Sequence, residues 1–334
     1  MKACLITDIE THSLSEDERT WLSHSYLAGI ILFTRHFESK TQLKTLISEI
    51  KAINPKLLIT VDHEGGRVQR FRDGFTRVPA MGRLGKLYQE DSARANQLAF
   101  DSAVVLCCEL LDIGIDLTYA PVLDIDYQRN QVVGDRGFAH TKEAIVDLAS
   151  HFIDGVKSIG FPSVAKHFPG HGWVTQDSHV SCPVDERSFE EIKSNDLWVF
   201  DHLMPKIDWI MPAHVVYERV DEQPAGFSKH WVTNILRNDM GFQGPVVSDD
   251  LSMEGAAQTG GYASRAKAAL DAGCNVMLAC NSSVAPKEIL EFLSHSEYER
   301  LDLSEYQSKP QKMILDMPVY QQALARIMEF NHEL

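Results

Sequence analysis

The sequence predicts an α/β fold of the (β/α)8 TIM-type barrel class, formed as a single domain over residues 1–334 with a C-terminal helical extension. Short apolar, β-rich runs alternate with longer segments of helical periodicity, the pattern of a parallel sheet joined by crossover helices. Eight such runs can be counted. Ionisable clusters follow the runs all along the chain, which favours a ring of strand ends over the single switch point of a doubly wound sheet.

In chain order the expected strands are Ala3 to Thr7, Gly29 to Phe33, Leu57 to Val61, Asp116 to Leu123, Ser163 to Lys166, Trp209 to Ala213, Pro245 to Ser248 and Asn275 to Ala279. The helical segments between them are Ser15 to Leu27, Thr41 to Ile53, Asp91 to Ile113, Lys142 to Ile159, Phe189 to Met204, Lys229 to Met240 and Tyr262 to Ala272. Two more follow, near Ala285 to Ser294 and Val319 to Asn331. Val319, Leu324, Ile327 and Met328 give the last one an apolar stripe suited to packing on the barrel exterior. Behind the strands come Asp8, Arg35 and His36, Asp62 to Glu64, Asp124 and Asp126, Lys166 and His167, His214, Asp249 and Asp250, and Asn281. The stretch Gly65 to Tyr88 holds five glycines and is expected to be a long functional loop. No linker or repeat marks a second domain.

A hydrophobic fraction of 44% and a charged fraction of 24% are those of a soluble globular protein. The formal charge of -15 argues against nonspecific binding to nucleic acid or anionic lipid, which needs Lys and Arg to neutralise phosphates. The apolar run in MKACLITDIE is too short for a signal-peptide core, and no later stretch approaches a membrane span, so a cytoplasmic protein is expected. A monomer is expected as well. Six scattered cysteines without a CxxC pair read as reduced, buried thiols. No GxGxxG or P-loop pattern occurs, and no cofactor is expected.

The densest chemistry lies in KHFPGHGWVTQDSH, Lys166 to His179. Its Gly and Pro residues rule out a helix interior, and the apolar run before it makes it a loop fixed to a strand end. Asp177 and His179 are close enough for the carboxylate to orient the imidazole for proton transfer, although an Asx turn would give the same DSH. Lys166 and His167 are either ligand contacts or strand-end residues satisfied by carbonyls. DHEGGRVQR pairs Asp62 with Arg70 across a Gly turn, for holding sugar hydroxyls or for shaping the loop. GDRGF puts Arg136 in a Gly-flanked loop, as a ligand contact or a plain surface arginine. Asp249 and Asp250 point to opposite faces if extended, so one would face the barrel mouth while the other caps the next segment. His167, His171, His179, His214 and Asp249 could ligate zinc on paper, yet neither HxH nor HExxH is present, so no metal is expected.

Taken together and in this order, DHEGGRVQR, GDRGF, KHFPGHGWVTQDSH and SDDLSMEGA resemble the bacterial β-N-acetylglucosaminidases of glycoside hydrolase family 3, from about Ile30 to Asn281. The resemblance implies a cytoplasmic barrel that removes non-reducing terminal N-acetylglucosamine from GlcNAc β-1,4-linked to 1,6-anhydro-N-acetylmuramic acid, with or without peptide, in peptidoglycan recycling. It also implies Asp249 as nucleophile, His179 as acid/base with Asp177 as its partner, and Asp62, Arg70, Arg136, Lys166 and His167 as sugar contacts. Two positions depart from the family pattern: Gly137 stands where Ser is common, and His36 where Asn is common.

These roles describe retention by double displacement, with a His in place of the second carboxyl group most retaining glycosidases use. Two other enzyme readings stay open. Phosphate could accept the sugar in place of water, since a His acid/base avoids the repulsion a carboxylate would present to that anion, and a metal-dependent barrel hydrolase is the weaker reading. A noncatalytic muropeptide-sensing protein has little support, because both catalytic positions are filled.

Overall fold

The computed structural model describes residues 1–129, 131–175, 183–257, 259–309 and 313–333. Its framework is α/β with a mostly parallel sheet. The strands Val276–Ala279, Lys2–Thr7, Leu27–Leu32, Leu58–Val61 and Leu117–Thr118 are neighbours in that order, each pair parallel. Val122 bridges to Lys166, Val164–Phe168 pairs with Trp209–Pro212, Ile210 bridges to Val246, and Val247 bridges to Val276. This succession of parallel neighbours returns to the strand from which it began.

Alternation along the strands explains why the sheet is buried on both faces. Cys4 and Ile6 belong to an inner apolar cluster, while Ala3 and Leu5 belong to a second, larger cluster. The inner cluster draws on every strand segment in turn: Ile6, Ile31, Leu58, Leu117, Val164, Trp209, Val247 and Val276. The larger cluster includes the buried faces of the helices Lys40–Ile53, Ser92–Ile113, Lys142–Ser158 and Ala285–Ser294. Near-continuous apolar strands of this kind need cover on both sides.

Several expected elements are shorter or divided. Asp116 to Leu123 keeps only Leu117–Thr118 as strand, followed by the bridge at Val122. Pro245 to Ser248 contributes only the bridges at Val246 and Val247. Phe189 to Met204 divides into Phe189–Ser194 and Asp196–Leu203. The segment His230–Asp239 is wound as a π-helix. Gly65 to Tyr88 is not a plain loop, because it starts in a hairpin, His63–Gly65 with Val68–Gln69, and ends in the helix Met81–Tyr88. Met81 and Leu84, three apart, bury one face of that helix.

The C-terminal helix Pro318–His332 lies against Ser92–Ile113, as its stripe predicts. Arg326 forks onto Asp101 at 2.6 and 2.7 Å, and the Tyr320 hydroxyl donates to Glu109 at 2.9 Å. Among the described residues no helix is long and apolar enough to cross a membrane. Cys4, Cys107, Cys108, Cys274 and Cys280 are buried free thiols, whereas Cys182 lies outside the described residues.

Candidate active site

Residues far apart in sequence meet over the C-terminal ends of the strands. Asp62, Arg70, Arg136, Lys166, His167 and Asp249 all line one cavity of about 430 Å³. Asp177 and His179 lie outside the described residues. The cavity floor is apolar, with Ile31, Met211 and Leu278 supplied by three different strands. A second cavity of about 450 Å³, lined by Asp8, Glu10, Trp21 and Arg35, meets the first at Asn281. The first concentrates the buried charges.

Lys166 is the centre of a charge network. Its Nζ donates to Asp62 Oδ1 at 2.8 Å and lies 2.6 Å from Glu64 Oε1. Burial works against the ammonium charge, but Asp62 and Glu64 outweigh it and raise the Lys166 pKa. Arg136 donates bidentately to the same Glu64, at 2.8 and 2.7 Å. Burial would favour the neutral form of Glu64, yet Arg136 and Lys166 together hold its carboxyl well below the usual range. Arg70 stands 3.5 Å from Asp62 and over the ring of Phe33 at 5.6 Å. Donors and acceptors therefore alternate around the pocket.

His167 is fixed from behind. Its Nδ1 is 2.6 Å from Asp124 Oδ2, and the main-chain N–H groups of His167 and His171 donate to Asp124 Oδ1 at 3.1 and 2.7 Å. Because a carboxylate accepts, Nδ1 carries the proton in that bond. Asp124 is fully buried, which by itself would raise its pKa, but His167 and the donated bonds bring it down to about 2. Burial, with His167 next to it, lowers the His171 pKa to about 4.

Asp249 has its Oδ1 bonded at 2.8 Å by the N–H of Asp250. Asp250 serves as the capping partner expected of the dipeptide, accepting from the N–H and hydroxyl of Ser252 at 2.9 and 2.8 Å. Among the described residues no group of three or more His, Cys, Asp or Glu side chains is placed to hold a metal ion.

The two departures have local explanations. A Cβ on Gly137 would lie 3.0 Å from the carbonyl oxygen of Asp124 and 3.1 Å from Val133, so the packing suits glycine. His36 is buried and tied to main chain: its Nδ1 accepts from Phe33 N–H at 2.8 Å, and its Nε2 reaches the Ile9 carbonyl at the same distance. Sequence reasoning noted Glu64 and Asp124 only as strand-end acids. The signal for Glu64 was its place in DHEGG, one residue before a Gly turn that brings it back over the strand ends.

A pocket of this kind, with fixed donors and acceptors over an apolar floor, suits a polyhydroxylated ligand. Comparison with known proteins gives the same class. The family profile described as "Glycosyl hydrolase family 3 N terminal domain" matches residues 5–309. The β-hexosaminidase of Tolumonas auensis is 48% identical over 301 residues, covering 89% of this chain and 89% of that protein. The β-hexosaminidase of Methylobacillus flagellatus is 48% identical over 288 residues, 86% and 82% of the two chains. Native NagZ from Neisseria gonorrhoeae superposes with a TM-score of 0.91 at 40% identity, covering 98% of this chain and 97% of its own. The same enzyme, solved with N-trifluoroacetyl-D-glucosamine, matches at 41% identity over the same shares with a TM-score of 0.91. The protein is thus a glycoside hydrolase of the β-hexosaminidase type. It belongs to glycosyl hydrolase family 3.

Proposed function

We propose that this chain is a retaining exo-β-N-acetylglucosaminidase, formed as one (β/α)8 barrel domain with a C-terminal helix packed outside it. It removes non-reducing terminal GlcNAc from β-1,4-linked GlcNAc-1,6-anhydroMurNAc, with or without peptide, in cytoplasmic peptidoglycan recycling, and works as a monomer without metal or cofactor. The observation that carries this reading is the meeting of Asp249 with Asp62, Arg70, Arg136, Lys166 and His167 around one cavity. The returning succession of parallel strands supports the barrel. The resemblance to NagZ from Neisseria gonorrhoeae, solved in complex with N-trifluoroacetyl-D-glucosamine, supports the sugar.

In the first step a carboxylate oxygen of Asp249 forms a bond to the anomeric carbon as the glycosidic C–O bond breaks, and His179 gives its proton to the departing oxygen. In the second, water attacks the same carbon, His179 takes the water's proton, and the bond to Asp249 breaks. Two inversions give retention. Asp62, Arg70, Arg136, Lys166 and His167 contact the sugar, and Asp177 keeps His179 oriented and basic.

The test is trapping with a 5-fluoro glycosyl donor followed by peptide mapping. Label on Asp249 is expected, and label elsewhere overturns the mechanism. Product analysis in phosphate and in a phosphate-free buffer separates hydrolysis from phosphorolysis. Free GlcNAc is expected in both, and a sugar 1-phosphate as the main product would sink the hydrolase reading.

A further inference from the structure

Between Ser248 and Leu251 the chain stops pairing with its neighbour through main-chain groups alone. Ser248 N–H donates to the Val276 carbonyl at 2.9 Å, and Leu251 N–H to the Leu278 carbonyl at 2.8 Å. In the opposite direction the acceptors are side chains. Leu278 N–H donates to Ser248 Oγ at 3.0 Å, and Cys280 N–H to Asp250 Oδ1 at 2.9 Å. The two residues flanking Asp249 have taken over the neighbouring strand's donors. Asp250 N–H, withdrawn from any ladder, is spent on the Asp249 carboxylate.

The carbonyl of Asp250 is held too. His214 Nε2 approaches it at 3.1 Å, and since a carbonyl only accepts, Nε2 carries the proton. His214 is completely buried, and burial lowers its pKa, so it donates as the neutral ring. Asp250 is therefore bonded to His214, to Cys280 and to Ser252, on three successive strand ends. An Asx turn by itself would need only Ser252. The bonds to Cys280 and His214 span thirty and thirty-six residues of sequence, so a local turn does not account for them. The arrangement is also costly, because burial pushes the Asp250 carboxyl up to about 6 against the donors that favour its charge.

We infer that Asp250 is the positioning residue for Asp249: by replacing a main-chain acceptor for Cys280 and donating its own N–H to Asp249 Oδ1, it sets the angle at which the Asp249 carboxylate meets the anomeric carbon. This rests on the reading of Asp249 as the nucleophile. Misplacing a reacting group by about an ångström can cost on the order of 10²-fold in rate while the sugar contacts stay intact. Those contacts come from other strand ends, so the prediction is a loss in kcat without a matching loss in binding.

The experiment compares the full-length enzyme with Asp250→Ala and Asp250→Asn. The amide keeps Oδ1 as acceptor for the Cys280 and Ser252 N–H groups and turns an NH2 toward the Ser252 hydroxyl, which can accept. We expect kcat to fall about 10²-fold in the Ala variant and about tenfold in the Asn variant. KM, and the Kd for N-trifluoroacetyl-D-glucosamine used as probe, should move less than about threefold. The rate of 5-fluoro glycosyl labelling should fall in step with kcat. A kcat within twofold of the parent in Asp250→Ala, or a loss of probe binding as large as the loss of kcat, overturns the inference. Where the Ala variant fails to fold, the labelling rate of the Asn variant decides. Label on a residue other than Asp249 in the parent sinks the nucleophile assignment itself, whereas label on Asp249 at an undiminished rate in Asp250→Asn sinks only the positioning role.

Discussion

Glu64 and Lys166, 102 positions apart and both buried, stand 2.6 Å from each other and line the same cavity as Asp249. Glu64 also takes both bonds of the Arg136 fork, so one carboxylate holds two of the proposed sugar-binding cations. Removing one partner of a buried ion pair leaves an uncompensated charge, at a cost of about 3–5 kcal/mol. Glu64→Gln keeps the shape and removes the charge. It should lower the melting temperature and raise KM about tenfold or more, with a smaller effect on kcat, since Lys166 and Arg136 lose their fixed positions. An unchanged KM would mean that Lys166 is held by Asp62 alone.

Asp124 and His167 give a prediction in pH. The Asp124 pKa, held down to about 2, lies below the ordinary value of 3.8. In that interval the unfolded chain binds more protons than the folded one, so stability rises with pH. The contribution is fully present above about pH 4 and is lost as pH falls through about 2. Melting temperatures between pH 5 and pH 2 should fall more steeply for the parent than for Asp124→Asn. Parallel curves would show that the pair adds nothing to acid stability.

Much of this site could be read from the sequence because parallel strands deliver their next residues to one rim, so Asp62, Lys166, His167 and Asp249 were found by locating strand ends. Where the chain turns back instead, the reading was incomplete. Glu64 reaches the pocket through the His63–Gly65 hairpin, and Gly65 and Gly66, at φ 98° and 55°, form a turn that periodicity does not detect. The strand expected at Pro245 to Ser248 is reduced to bridges because Ser248 and Asp250 replace main-chain acceptors, an exchange no apolar pattern encodes. The Gly-rich stretch hid the helix Met81–Tyr88, whose glycines serve close approach.

Gly85 shows what that close approach does. A Cβ there would lie 1.8 Å from the carbonyl oxygen of Phe138, inside van der Waals contact with main chain that cannot rotate away. Phe138 follows Arg136 by two residues, so the helix is packed directly on the segment that presents a proposed sugar contact. Gly85→Ala should gain helix propensity and still destabilise, because the backbone clash outweighs the ~1 kcal/mol that Ala offers over Gly. We expect a lower melting temperature together with a raised KM. A melting temperature at or above that of the parent would show that the Phe138 segment yields without cost.

Asp249 and His179 are separated by leaving-group chemistry. Asp249→Ala should abolish turnover on every substrate, since no bond to the anomeric carbon can form, and near-normal kcat would refute the nucleophile. His179→Ala removes the proposed proton donor, and the deficit should scale with the leaving group's need for a proton. A sugar alcohol is a poor leaving group and an activated phenolate is a good one, so the loss in kcat/KM should be larger on GlcNAc-1,6-anhydroMurNAc than on an activated aryl β-N-acetylglucosaminide. General acid catalysis contributes about 10²–10⁴-fold, which sets the scale of the loss on the natural bond. On the aryl substrate the first step stays fast and the glycosyl-enzyme accumulates, because the same residue must deprotonate water in the second. A burst of phenol followed by slow steady-state release is therefore expected from His179→Ala, and equal losses on both substrates without a burst would remove His179 from the acid/base role.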